Sequence, residues 1–179
     1  MKIDITRHTH LTILFILFLS ICRTTLAQEA NSDSIVISYL QESGIPITQN
    51  NRLKLLKSGH TKFIDLFEEI RKAKHHIHLE YFNFRNDSIA NALFDLLGEK
   101  VKEGVEFDPF KFPYINHALH RDHRKIVVID GKVGYTGGMN IANYYIKGLP
   151  EIGDWRDMHV RIEGDAVNNL QDIFLTMWN

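Results

Sequence analysis

His123 and Lys125 stand two residues apart at the start of an apolar run, Ile126-Val127-Val128-Ile129, which Asp130 closes. A glycine pair, Gly137-Gly138, and the amide of Asn140 follow. Side chains alternate across a strand, so His123 and Lys125 emerge on one face. A neutral imidazole is a competent nucleophile near pH 7 and can accept a phosphoryl group. An ammonium beside it supplies a point charge and three donors where negative charge gathers on the phosphoryl oxygens. Asp130 has the opposite parity, so a structural or histidine-orienting role suits it better than phosphate contact. Gly137 and Gly138 let backbone N–H groups approach an oxyanion, and Asn140 adds a side-chain donor. His-x-Lys alone would fit an ordinary buried strand with a basic start. Joined to Asp, Gly-Gly and Asn, it is equipment for attacking a phosphodiester. Such chemistry usually uses two histidines, and the pattern occurs once.

Other polar residues invite weaker readings. His76, His78 and Glu80 would share a strand face, as metal ligands can, but a cleft lining or solvated face explains them more simply. Glu80 is a candidate supporting carboxylate behind the site, or a buried structural acid. His117 and His120, spaced by threes from His123, read as loop residues near a phosphate site. Asp157 and His159 share a face at the start of a later strand and suit a supporting place behind the site, with no chemistry of their own assigned. Phe107, Phe110, Phe112 and Tyr114 suit either lipid chains or core packing.

The elements that must hold these residues alternate. A short helix is expected over 34–41, broken by Gly44-Ile45-Pro46, then a strand over 51–56. Thr61 can cap a helix through Ala73, with Phe63, Leu66, Phe67 and Ile70 on one face. A strand over 76–82 precedes a helix starting at Asp87 or Ser88 and ending near Lys102, with Ile89, Leu93, Leu96, Leu97 and Val101 apolar. Residues 110–122 read as an aromatic loop. A hairpin turns at Gly131 between 125–130 and 132–135. A strand over 158–162 and a helix over 165–178 complete the set. Strands interleaved with helices predict an α/β layered domain.

The N-terminal segment stands outside this fold. Lys2 and Arg7 precede an apolar run from Leu11 to Cys22, and Thr25-Leu26-Ala27 offers small residues for cleavage. Residues 1–27 therefore read as a signal peptide or an N-terminal anchor, and the chain as exported or membrane-associated. The only cysteine is Cys22, so residues 28–179 can form no disulfide or thiolate metal site. With 44% hydrophobic and 24% charged residues the chain has an ordinary globular composition. A formal net charge of −1 gives no global field for nucleic acid. The cluster Arg121, His123, Arg124, Lys125 points more locally to an anionic ligand.

The spacing His123-x-Lys125-x4-Asp130-x6-Gly137-Gly138-x-Asn140 resembles the HKD motif of the phospholipase D superfamily. The stretch from His123 to Leu149, Trp155-Arg156-Asp157-Met158-His159 and the segment 161–174 resemble the first catalytic half of bacterial cardiolipin synthases, as does the segment 43–84. That resemblance implies a central mixed sheet flanked by helices over residues 28–179. It also implies a histidine-linked intermediate, a phosphatidylglycerol substrate at a membrane surface, and neither metal nor cofactor. It makes His123 the nucleophile or its partner, Lys125 and Asn140 phosphate contacts, and Gly137 and Gly138 the walls of the pocket. The family pattern further implies a second HKD half after the segment 174–178, and more chain between the helix ending near Lys102 and His123. Here Val105-Glu106-Phe107 runs straight into Asp108-Pro109-Phe110. The chain thus reads as one incomplete copy with an internal deletion near 105–107. Three readings stay open: a phosphatidyltransferase present as a partial first half, a single-motif phosphodiesterase or nuclease that pairs two copies in a homodimer, and a non-catalytic remnant. The local likeness to lipid enzymes favours the first, and nucleic acid is not the favoured partner.

Overall fold

A computed structural model describes residues 33–107 and 123–178. The expected signal or anchor, Cys22 and the aromatic loop with His117, His120 and Arg121 lie outside the described residues. The chain divides into two compact units, Met1–Ile47 and Thr48–Asn179. In the first, α1 spans residues 33–42, one residue longer at each end than its sequence suggests. Gly44 ends it at φ 69°. The Ile45 N–H reaches the Leu40 carbonyl at 2.9 Å and the Gly44 N–H that of Gln41 at 3.0 Å, the pair of bonds that closes a helix through a left-handed glycine.

The second unit carries β1 (Asn51–Leu56), α2 (Gly59–Lys72), β2 (His76–Tyr81), α3 (Ser88–Lys102), β3 (Glu106–Phe107), β4 (Lys125–Ile129), β5 (Val133–Gly137), α4 (Tyr144–Lys147), β6 (His159–Gly164) and α5 (Ala166–Trp178). The strands form one sheet in the order β1-β6-β5-β4-β2-β3. β3 runs parallel to β2, and every other pairing is antiparallel. This is the mixed, layered sheet that the resemblance implies.

Local chemistry explains most element ends. Asp87 caps α3, its carboxylate accepting from the N–H groups of Ile89 and Ala90. The cap of α2 is Ser58, not Thr61: the Ser58 hydroxyl accepts from the Thr61 N–H at 3.2 Å. The helix starts earlier than expected because Gly59 can sit against α4, where a Cβ would stand 2.4 Å from the Tyr145 carbonyl oxygen. Asp130 and Gly131, at φ 53° and 65°, make the tight turn between β4 and β5 that an Asp-Gly pair favours. Val101, expected on the apolar face of α3, is half exposed. The two-residue β3 matches the absence of a full strand after α3.

Apolar side chains fill both faces of the sheet. Between the sheet and the helices α2 and α3, Leu56, Ile77, Val127 and Tyr135 of the strands meet Leu66, Ile70, Leu93 and Leu97 of the helices. Ile126, Val128, Ile162 and Val167 pack on the other face, against α5. Each large aliphatic side chain buried this way contributes about 1.5–3 kcal/mol. A polar clamp pins α2 to the sheet. The Tyr135 hydroxyl donates to Asp65 Oδ1 at 2.6 Å and Lys54 Nζ to Asp65 Oδ2 at 2.6 Å. Arg161 reaches Asp65 at 3.6 Å and Glu69 at 3.3 Å. Burial opposes the Asp65 charge, but Lys54, Tyr135 and Arg161 together hold its carboxyl below the usual range. Tyr135→Phe is expected to lower stability by about 1–2 kcal/mol in urea unfolding, with the fold intact by circular dichroism.

Candidate active site

β4 begins, β5 ends and β6 begins at one end of the sheet, and there an open pocket of about 490 Å3 lies among His123, Arg124, Lys125, Gly137, His159 and the apolar Leu55, Met158 and Ile173. His123 stands two residues ahead of β4 and is exposed, whereas Lys125 is buried. The predicted common face holds: Lys125 Nζ lies 3.0 Å from His123 Nδ1 and donates to the His123 carbonyl at 2.6 Å. Phe82 backs the pair, with its ring 4.6 Å from the imidazole and 5.4 Å from the ammonium. An ammonium has only donors, so Nδ1 is the acceptor and a neutral ring carries its proton on Nε2. The imidazole becomes a nucleophile at Nε2 only when Lys125 turns to another acceptor.

The glycine pair has a steric reason. At Gly137, φ 149°, a Cβ would stand 2.6 Å from the Met158 carbonyl oxygen and 2.7 Å from His159 Nδ1. At Gly138 it would meet the Asp157 carboxylate at 2.1 Å. The two glycines thus let β5 close onto the segment 157–159, and the Gly138 N–H donates to the Met158 carbonyl at 3.0 Å.

The other sequence candidates are dispersed. Asn140 is buried behind the pocket, its Nδ2 donating to the Tyr145 hydroxyl at 3.3 Å. Asp130 sits at the far end of β4 and takes the N–H groups of Lys74, His75 and His76 at 2.9, 2.8 and 3.0 Å. Burial works against its charge, yet those three bonds hold its carboxyl below the ordinary value. Of the two roles open to it, the geometry supports the structural one: Asp130 ties the turn to the start of β2. Glu80 faces the α5 side, 3.6 Å from the Arg124 guanidinium at the pocket edge. His76 and His78 share that face with rings 4.6 Å apart, and His78 stacks on Phe174 at 4.5 Å. Among the described residues no group of three His, Cys, Asp or Glu side chains is placed to hold a metal ion.

One residue at the site, Lys62, escaped the sequence reading, and a second, His159, was seen without a defined role. Lys62 is fully buried on α2, and its ammonium donates to the carbonyls of Met139 and Asn140 at 3.1 and 3.0 Å. Burial and nearby Lys125 pull its pKa well down, against the opposing pull of Asp157. Its signal was a lysine at the i−4 position of Leu66, on the buried stripe of α2. His159 is 1% exposed. Burial, with Lys62 and Lys125 beside it, pushes its imidazole down to about 2, so the ring is neutral at physiological pH. Neither ring nitrogen has a hydrogen-bond partner among the described residues. Gly137→Ala is expected to destabilise the fold by about 1–3 kcal/mol in urea unfolding and to move the His159 ring resonances, because the new methyl group strikes the start of β6.

No family model matches the chain. A probable cardiolipin synthase of Bacillus subtilis, YwiE, is 34% identical over an alignment covering 83% of this chain and 36% of that protein. A cardiolipin synthase of Staphylococcus aureus is 38% identical over 74% of this chain and 33% of that protein. The chain spans about a third of the length of the curated relatives it matches. Among solved structures, NucT from Helicobacter pylori superposes with a TM-score of 0.53 at 9% identity, covering 72% of this chain and 96% of that one. Nuc from Salmonella typhimurium, a phospholipase D family member, gives 0.52 at 13% identity over 73% and 95%. Phosphatidylserine synthase from Haemophilus influenzae gives 0.54 at 15% over 67% and 35%. By sequence and by fold, the chain belongs to the phospholipase D superfamily, as a relative of the bacterial cardiolipin synthases.

Proposed function

We propose that this chain is a phosphatidyltransferase domain that takes phosphatidylglycerol and passes the phosphatidyl group to a second phosphatidylglycerol, giving cardiolipin and glycerol. The observation that carries this reading is the His123–Lys125 pair, 3.0 Å apart in the pocket that Gly137 lines, in a chain homologous to cardiolipin synthases. His123 attacks phosphorus, a P–N bond forms, and the P–O bond to glycerol breaks. The departing oxygen takes a proton from a general acid. Lys125 leaves His123 Nδ1 for the phosphoryl oxygens, which frees the ring to act and sets a positive charge where negative charge develops. A hydroxyl of the second phosphatidylglycerol then attacks phosphorus, gives its proton back to the general acid now acting as base, and displaces His123 as the P–N bond breaks. Gly137 and Gly138 shape the pocket. The resemblance makes Asn140 a phosphate contact, for which its Nδ2 must leave the Tyr145 hydroxyl. Asp130 supports the strand that carries Lys125. No metal or cofactor enters the reaction.

By the family pattern the general acid is a second histidine, from a second half of the protein or from a second copy of this chain. The partner is an anionic phospholipid at a membrane surface, and residues 1–27, as a signal or anchor, would bring the domain to the cell envelope. No helix among the described residues is long and apolar enough to cross a membrane. A second reading has its own support: NucT and Nuc are covered over 96% and 95% of their chains, so this fold exists as proteins of about this size. A homodimeric phosphodiesterase or nuclease would then use two copies of His123.

The test is a transfer assay on the full chain with phosphatidylglycerol vesicles, reading lipid products by mass spectrometry. Cardiolipin from the wild type and none from His123→Ala is the expected result. A folded wild type that makes no cardiolipin but cleaves a phosphodiester, with the activity lost in His123→Ala, would replace the first reading with the second.

A further inference from the structure

One row of side chains crosses the sheet on its α2 face. Tyr81 on β2 pairs with Lys125 on β4. Gly137 on β5 pairs with His159 on β6, which pairs in turn with Leu56 on β1. Gly137 leaves a gap in this row, and the His159 ring leans into it. The Tyr81 and His159 rings stand 6.3 Å apart and nearly parallel, at 12°. Lys62 closes the row from α2, with Nζ 4.6 Å from the Tyr81 ring centroid. Two amine side chains, from Lys62 and Lys125, therefore flank one imidazole, with Asp157 as the nearby carboxylate.

This arrangement is unsatisfied. Buried polar atoms are nearly always paired, and an unpaired one costs about 1–3 kcal/mol. Here both His159 nitrogens, the Tyr81 hydroxyl and Asn140 Oδ1 are buried without a hydrogen-bond partner among the described residues. His159 lines the same pocket as His123, Lys125 and Gly137. A neutral imidazole keeps one N–H donor, and an anion placed beside it would also offset the crowded positive charge.

We propose that His159 is a phosphoryl-binding residue, its ring N–H donating to an oxygen of a phosphate monoester or diester that Lys125 holds from the other side. Lys125 is the gate: turned onto His123 it shields the imidazole, and its move to the phosphoryl oxygens opens the ring to them. The inference rests on the phosphoryl-transfer reading of the pocket and adds to it a contact supplied by β6. His159 thereby serves as a fixed neutral donor, distinct from the nucleophile and from the proton-transferring histidine.

The experiment is a titration of the full chain, labelled with 15N-histidine, with inorganic phosphate and in parallel with dihexanoylphosphatidylglycerol, reading long-range 1H–15N correlations of the rings. His159→Gln assigns the His159 signals and keeps an amide donor. His159→Phe removes the donor at similar volume, and Lys125→Ala removes the charge. The His159 ring signals are expected to move on binding. His159→Phe is expected to weaken affinity about tenfold and His159→Gln less. A ring that responds to the diester alone identifies a lipid headgroup as the ligand, and one that responds to phosphate alone identifies a free phosphate. Both results support the proposal. If ligand moves the His123 signals and Lys125→Ala abolishes binding, while the His159 signals stay still and His159→Phe binds like wild type, the inference is overturned and the phosphoryl-transfer reading stands. If neither ligand moves any ring, both fall. Should His159→Phe fail to fold, the wild-type His159 signals decide alone.

Discussion

The buried amine of Lys62 is the interaction on which the site depends. Placing it under α2 demands acceptors, and it finds them in the carbonyls of Met139 and Asn140. These lie just beyond the glycine pair, so one side chain of α2 fixes the chain as it leaves β5. A charge taken out of water without such partners would cost several kcal/mol. The helix, the Gly137-Gly138 corner and the start of β6 are thereby locked into one arrangement. Gly59 allows the same helix to press on α4, where the Tyr145 carbonyl occupies the space of a side chain.

The lock has an electrostatic consequence. It sets Lys62 near Lys125, with His159 between them and held neutral. The pocket is thus rich in donors and poor in negative charge, although the chain as a whole carries a net charge of −1. The anion recognition proposed here is local, built from three elements that meet at one end of a sheet, and it does not draw on a field spread over the surface. Three acids of the domain are used elsewhere: Asp65 clamps α2, Asp130 holds the turn to β2, and Asp87 caps α3. The apolar rim of Leu55, Met158 and Ile173 gives the mouth of the pocket a surface compatible with lipid chains.

Much of this was legible in the sequence, for identifiable reasons. The hairpin was readable because β-branched residues flank an Asp-Gly turn, and α3 because an aspartate precedes its apolar stripe. His123 and Lys125 were readable because strand parity is local. Lys62 was not, since a lysine on an apolar stripe more often extends its charge to solvent. His159 was seen but left without a role, because its meeting with Lys125 and Tyr81 depends on cross-strand register and on the gap at Gly137. The four-residue α4 has no side-chain cap to announce it, and the start of α2 was misplaced because Ser58 and Thr61 are both acceptable caps.

The central claim is that His123 carries the phosphatidyl group. The most direct measurement is rapid alkaline quenching of the full chain with phosphatidylglycerol, a condition that preserves a phosphorus–nitrogen bond, followed by peptide mapping by mass spectrometry. The account predicts a phosphatidyl adduct on the peptide containing His123, absent from His123→Ala. A folded chain that acquires no adduct, or acquires it at another residue, would contradict it.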